Sequence, residues 1–251
     1  KQLLRLLNEQ VRSITVEAVG NDQQGVDLVV QTESGALQFH QCKARNGSKE
    51  CWTLSDLNSR GVLQNMIFQL NRDPQHEFWL VTGVPASVFG DICESARNSS
   101  GDAETYYKYQ IAEVGEDRRK TFRQFCERIG LDESTADGRA RAYDYLRRIR
   151  VEFWTDTQSS YDELLCWAKL LVNGEPQTIV ACLADYAHDN LRRSMVASDV
   201  RAHLRESGFE PRRLAHDDRV APAIERLKQQ FRDSMIRGLV GGELIPRSET
   251  Q

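Results

Sequence analysis

Residues 16–47 read VEAVGNDQQGVDLVVQTESGALQFHQCKARNG. Two segments of it, VDLVVQ (26–31) and LQFHQCKA (37–44), have the apolar runs of strands, and Glu33-Ser34-Gly35 between them is a tight-turn sequence. The two therefore pair as a hairpin. Just ahead, SITVEAV (13–19) alternates Ile14, Val16 and Ala18 with Thr15, Glu17 and Val19, a further strand reached through a polar turn at Gly20 to Gly25. Leu3, Leu4, Leu6, Leu7 and Val11 have helical spacing before it. After the hairpin, Ser55 caps a predicted helix through Leu70 that Asp73-Pro74 ends, EFWLVTG (77–83) is an apolar strand, and Pro85 opens a helix toward Asn98. Helix, three strands, helix, strand, helix predicts an α/β fold with one mixed sheet flanked by helices.

Around Asn98 to Asp102 the composition becomes that of a linker, and a mainly helical region follows. Apolar positions of period 3.6 mark helices over 118–129, 136–146, 161–171, 178–191, 199–205 (capped by Ser198) and 221–236. IRVEFWT (149–155) is a strand that either returns to the first sheet or pairs locally. The expected organisation is a core over 1–98, a helical extension over 102–245 suited to packing between protomers, and a linker over 246–251 toward a further domain.

The 251 residues are 40% hydrophobic and 28% charged, enough to bury a core, and no apolar run is long enough for a transmembrane helix, so a soluble, cytoplasmic protein is expected. The net charge of −4 argues against coating nucleic acid by bulk electrostatics but leaves room for a local basic groove. The acids concentrate early: 20 Asp and Glu against 15 Lys and Arg over 1–137, and 17 against 18 over 138–251. The six cysteines are scattered without a CxxC pair and read as reduced and mostly buried. His40, Cys42 and Cys51 lack a fourth ligand for zinc.

The chemistry concentrates at one end of the hairpin. Side chains alternate along a strand, so Gln41 and Lys43 share the face of Phe39 while His40 and Cys42 take the other. Asp27 stands directly before Leu28-Val29-Val30, a costly place for a carboxylate unless it binds something. Pairing brings it to the end that carries Gln41 and Lys43. A carboxylate, an amide oxygen and a lysine suit metal-assisted phosphodiester hydrolysis: Mg²⁺ takes oxygen ligands, and an ammonium can orient the attacking water and offset charge on the phosphorane. Asp27, Gln41 and the Cys42 main-chain carbonyl are the expected ligands of Mg²⁺, which Mn²⁺ can replace, and Glu17 is the best second carboxylate. Arg45 and Lys49, with Arg60, form a basic strip fit to hold nucleic-acid phosphates. The doublets at 118–119, 147–148, 192–193 and 212–213 read as helix-surface charges.

GVDLVV followed by FHQCKAR resembles the D…(D/E/Q)xK core of the PD-(D/E)xK nuclease superfamily in its Gln-containing form. With Glu17 ahead and TLSDL behind, it is similar to the endonuclease effector domains of CBASS and antiviral STAND (Avs) anti-phage proteins. The resemblance covers residues 1–98 best. It implies a restriction-endonuclease-like sheet, metal binding at Asp27 and Gln41, and catalysis at Lys43 with support from Glu17; Glu9 is a candidate for the family's helix Glu, whose position the sequence leaves open. It further implies double-stranded DNA as substrate, activation by homo-oligomerisation, and exit through LIPRSETQ into a STAND-type NTPase. No Walker A motif occurs within the 251 residues. Gln41 in place of an acid lowers the charge at the metal and leaves one ion or two open. The same residues would stand in an RNase of this fold, or in a docking module with a degraded site.

Overall fold

The computed structural model describes residues 1–44, 50–99, 101–154 and 158–212. The chain divides into compact units Lys1–Pro211 and Arg212–Gln251. The helix expected over 221–236, and the linker, lie outside the described residues.

Unit Lys1–Pro211 is built on a six-stranded mixed sheet whose strands lie in the order Ile149–Phe153 (β5), Glu77–Thr82 (β4), Leu37–Lys43 (β3), Leu28–Thr32 (β2), Val11–Val16 (β1) and Ser194–Met195 (β7). Helix α1 (Gln2–Leu7) leads into β1 (Val11–Val16), β2 (Leu28–Thr32) and β3 (Leu37–Lys43), each antiparallel to the next. The hairpin closes as expected: Gly35 N–H donates to Thr32 C=O at 3.0 Å and Thr32 N–H to Ala36 C=O at 2.9 Å. Val11 opens β1 instead of extending α1. Helices α2 (Leu54–Ser59) and α3 (Val62–Leu70) carry the chain across the sheet to β4 (Glu77–Thr82), parallel to β3, and α4 (Ser87–Asn98) follows. The expected order of elements and the mixed sheet flanked by helices are thus present.

Two local differences have plain causes. The single helix expected from Ser55 begins two residues earlier, because Thr53 caps it with Asp56 in a reciprocal capping box. It breaks at Gly61, whose φ of 71° lies in the left-handed region that a helix interior cannot hold. Likewise, the helix expected from Asp199 is α10 (Ala197–Glu206), which starts ahead of Ser198, and the Ser198 hydroxyl donates to the Asp199 carboxylate.

Beyond residue 102 come α5 (Ala103–Tyr106), a π-helical turn (Tyr107–Ala112), α6 (Glu116–Arg128) and α7 (Ala136–Arg148). The strand read in IRVEFWT is β5 (Ile149–Phe153), which returns to the sheet parallel to β4. Tyr106, Ile111, Phe122, Phe125 and Leu146 share one core with Phe39, Phe78, Leu80, Leu63 and Ile92. The compositional change at 98–102 therefore marks a loop within one unit. That core lies on the Phe39 face of the sheet; each fully buried aromatic in it contributes roughly 1.5–3 kcal/mol. The opposite face carries Ile14, Val30 and His40 under α1, α8 (Gln158–Leu171), α9 (Pro176–Asp189) and α10, with the short β6 (Val172–Asn173), β7 (Ser194–Met195) and β8 (Glu210–Pro211) between and after them. Among the described residues, no helix is long and apolar enough to cross a membrane. Their cysteines form no disulfide; Cys93 and Cys126 are buried, but Cys42, Cys51 and Cys166 are exposed.

Candidate functional site

Antiparallel pairing of β1, β2 and β3 and parallel pairing of β3, β4 and β5 bring the end of β1, the start of β2 and the ends of β3, β4 and β5 to one edge of the sheet. Asp27 stands one residue before β2 on that edge. Its N–H donates to His40 C=O at 2.9 Å, and its C=O accepts from Glu17 N–H at 2.8 Å. Where the β2–β3 ladder stops, the side chain takes over: Asp27 Oδ2 accepts the Cys42 N–H at 2.6 Å. The carboxylate is thereby tied to the residue between Gln41 and Lys43. Peptide groups alternate in direction along a strand, so the Cys42 carbonyl points to the same side as its N–H, toward Asp27.

Gln41 and Lys43 lie on the core face of β3, in parallel register with Leu80 and Thr82 of β4. Gln41 is 4% exposed, and its Oε1 accepts no hydrogen bond among the described residues. A buried amide oxygen without a donor costs about 1–3 kcal/mol, and such an orphan calls for an ion, a water or a ligand. An anionic carboxylate anchored beside a buried, unpartnered carbonyl oxygen suits a hard divalent cation, which fills the rest of its shell from water and phosphate. No three His, Cys, Asp or Glu side chains gather in a metal-sized group among the described residues, so His40, Cys42 and Cys51 form no such site. Although the residue is exposed, desolvation of its sulfur by the surrounding protein and then the Asp27 charge raise the Cys42 pKa, which disfavours a thiolate.

Glu17 differs from its expected place. Strand β1 ends at Val16, and Glu17 follows it with φ of 50°, exposed, beside Asp27. A non-glycine residue held in the left-handed region at a site edge is strained by about 1–3 kcal/mol. Glu9 does not belong to this edge. It lies before the other end of β1 and pairs with Arg201 at 2.7 Å. Arg60 is exposed and sits over the Trp52 ring. Arg45 and Lys49 lie outside the described residues.

Two supporting residues escape a reading of the sequence. Thr82, 1% exposed, has a buried Oγ1 without a partner among the described residues and stands opposite Lys43. Only the parallel register of β4 reveals that neighbour. Gln69 of α3, fully buried, donates through Nε2 to the carbonyls of Asn21 (3.0 Å) and Gln24 (3.3 Å), and Arg72 pairs with Asp22 at 2.6 Å. Helix α3 thus pins the loop that delivers Asp27.

Gly25 of that loop has φ of 63°, and a Cβ there would lie 1.8 Å from Asn65 Nδ2 and 2.6 Å from Asn65 Cβ. Replacing Gly25 with alanine is expected to cost about 2 kcal/mol or more, lowering the melting temperature by several degrees. A thermal melt of the variant checks this.

A cavity of about 1180 Å³ opens on the other face of the sheet, between Leu28, His40 and Val81 and the apolar sides of α1, α8 and α9. Its rim reaches Cys42 to Ala44, but its walls are mostly apolar, and burial, with Arg5 nearby, lowers the His40 pKa to about 4. Charge suited to phosphate chemistry gathers at the sheet edge instead.

No protein-family profile matches the chain, and no curated protein does. One solved structure similar to it is the Acinetobacter baumannii Cap4 SAVED/CARF-domain containing receptor with the cyclic trinucleotide 3'3'3'-cAAA. The identity is 12%, with a TM-score of 0.48 over 82% of this chain and 45% of that one. The chain thus spans less than half of that receptor, and at this similarity the likeness informs neither its fold nor its function.

Proposed function

We propose that this chain is a Mg²⁺-dependent endonuclease acting on double-stranded DNA, the effector part of an anti-phage protein that works as a homo-oligomer. The observation that carries the reading is the buried, unpartnered Gln41 Oε1 beside the anchored Asp27 carboxylate, on the face that Lys43 shares. The QxK spacing on β3 and the nuclease resemblance support it, and the defence setting rests on that resemblance alone.

Asp27 and Gln41 would hold the cation, with the Cys42 carbonyl facing the same side. When bound, Mg²⁺ withdraws charge from the phosphate and lowers the pKa of water. Asp27 supplies the fixed negative charge, held in orientation by the Cys42 N–H. Gln41 adds a neutral oxygen, so the site carries less negative charge than a two-acid site, which eases approach of a polyanion. The Lys43 ammonium orients the attacking water and offsets charge on the equatorial phosphoryl oxygens as the in-line displacement proceeds. Thr82 stands opposite Lys43 on the neighbouring strand and flanks the lysine. Glu17, exposed beside Asp27, would accept a proton from the attacking water.

Incubating the whole chain with supercoiled plasmid, and in parallel with RNA, in Mg²⁺ or EDTA tests this. Nicking or linearisation in Mg²⁺ and none in EDTA is expected. Degradation of RNA with the plasmid spared would make the protein an RNase of this fold.

A further inference from the structure

The edge of the sheet beyond β1 carries a feature that the reaction so far leaves unused. Strand β7, two residues long, pairs antiparallel with β1 through Ile14–Met195 and Thr15–Ser194. It is entered through Arg192 and Arg193, so the chain passes these arginines on the edge that carries Glu17 and Asp27. A row of backbone links ties them together: Arg192 N–H donates to Val16 C=O at 2.8 Å, and Glu17 N–H donates to Asp27 C=O at 2.8 Å. Arg192 has φ of 65° and Glu17 φ of 50°, so two non-glycine residues hold left-handed backbone side by side on neighbouring segments.

Of the other arginine doublets, those at 118–119 and 147–148 are committed to the protein, and 212–213 runs out of the described residues. Arg118 donates to Ser95 Oγ and Gln110 C=O, Arg119 to Glu116 and Ala112 C=O, Arg147 to Asp144, and the buried Arg148 to Leu70 C=O and Asp144. Arg192 and Arg193 are exposed, and neither guanidinium has a hydrogen-bond or ion-pair partner among the described residues. They do not lie on a helix face, where surface charge is ordinary, since α9 ends at Asp189.

We propose that Arg192 and Arg193 are a phosphate clamp that holds the substrate strand beside the scissile phosphate. The proposal rests on the nuclease reading above and names the substrate contact of the same site. Neighbouring strands lie ~4.8 Å apart, so β7 stands roughly 10 Å from the strand of Asp27. One strand of a duplex advances about 3.4 Å along its axis per phosphate while also winding around it, which puts the clamp within about three nucleotides of the cut. Guanidinium forks match phosphate oxygens, and their positive charge shields the incoming backbone from Glu17 and Asp27.

Binding of a fluorescent 30-base-pair duplex in EDTA, followed by anisotropy across a salt series, separates holding from cutting. The variant is Arg192→Asn with Arg193→Ala, because asparagine tolerates the left-handed backbone. Two lost phosphate contacts are expected to flatten the slope of log affinity against log salt by about 2 and to weaken binding at least about tenfold at low salt. Arg192→Lys with Arg193→Lys is expected to keep most of the slope. Arg193→Glu alone, at a position of ordinary backbone, is expected to weaken binding further and gives an answer even where the double variant folds poorly. Wild-type slope and affinity in the double variant, or wild-type affinity in Arg193→Glu, would overturn the clamp. If the wild type cuts plasmid while these variants bind as it does, the clamp alone is wrong. If the wild type neither binds nor cuts duplex, the nuclease reading fails and the clamp falls with it.

Discussion

Replacing Asp27 with asparagine is expected to lower Mg²⁺-dependent plasmid cleavage by about 10³-fold or more, with little change in melting temperature. Asparagine keeps an oxygen to accept the Cys42 N–H, so the tie between the start of β2 and the end of β3 survives. What is lost is the fixed negative charge, and with it the cation whose stabilisation of phosphoryl charge is worth several kcal/mol. Alanine at the same position removes the tie as well. Asp27→Ala is therefore expected to lose the same activity and, in addition, about 1 kcal/mol of stability, read as a melting temperature below that of Asp27→Asn. Equal cleavage by wild type and Asp27→Asn would remove Asp27 from the centre. Equal melting of the two variants would show that the Cys42 contact contributes nothing to the fold.

The second large effect is expected at Lys43. Lys43→Ala should reduce the cleavage rate about 10²–10³-fold, the usual consequence of removing one charged donor aimed at a developing oxyanion. Duplex affinity in EDTA should fall by no more than one phosphate contact allows, so the loss appears in turnover and not in binding. Lys43→Arg should recover only part of the activity, because a planar guanidinium cannot take the place of a compact ammonium opposite Thr82. A rate that fell only in proportion to duplex affinity would make Lys43 a substrate-holding residue without a part in the chemistry.

Local chemistry explains which parts of the fold were readable. The hairpin of β2 and β3 was legible because Glu33-Ser34-Gly35 stands between two apolar runs and sets the register that unites Asp27 with Gln41 and Lys43. Strand β5 was legible as a strand, but its place beside β4 depends on contacts seventy residues away in sequence. The break at Gly61 was not legible from periodicity, since Leu57 and Val62 both continue an apolar face and only the backbone angle separates the two helices. Glu17 looked like a strand residue because alternation ran through it to Val19, yet left-handed backbone at Glu17 ends β1 at Val16, three residues sooner. Glu9 had the right residue type for a helix carboxylate, but the sheet puts it at the far end of β1, paired with Arg201. Strand β7 has two residues and no pattern to find, so Arg192 and Arg193 read as surface charge until pairing with β1 brought them to the site edge.

The most direct test of the central claim is anomalous diffraction from crystals soaked in Mn²⁺. A manganese peak shared by the Asp27 carboxylate and Gln41 Oε1, and absent from Asp27→Asn crystals, is the predicted result. Mn²⁺ found only elsewhere on the chain, with Gln41 Oε1 still unpartnered, would contradict it.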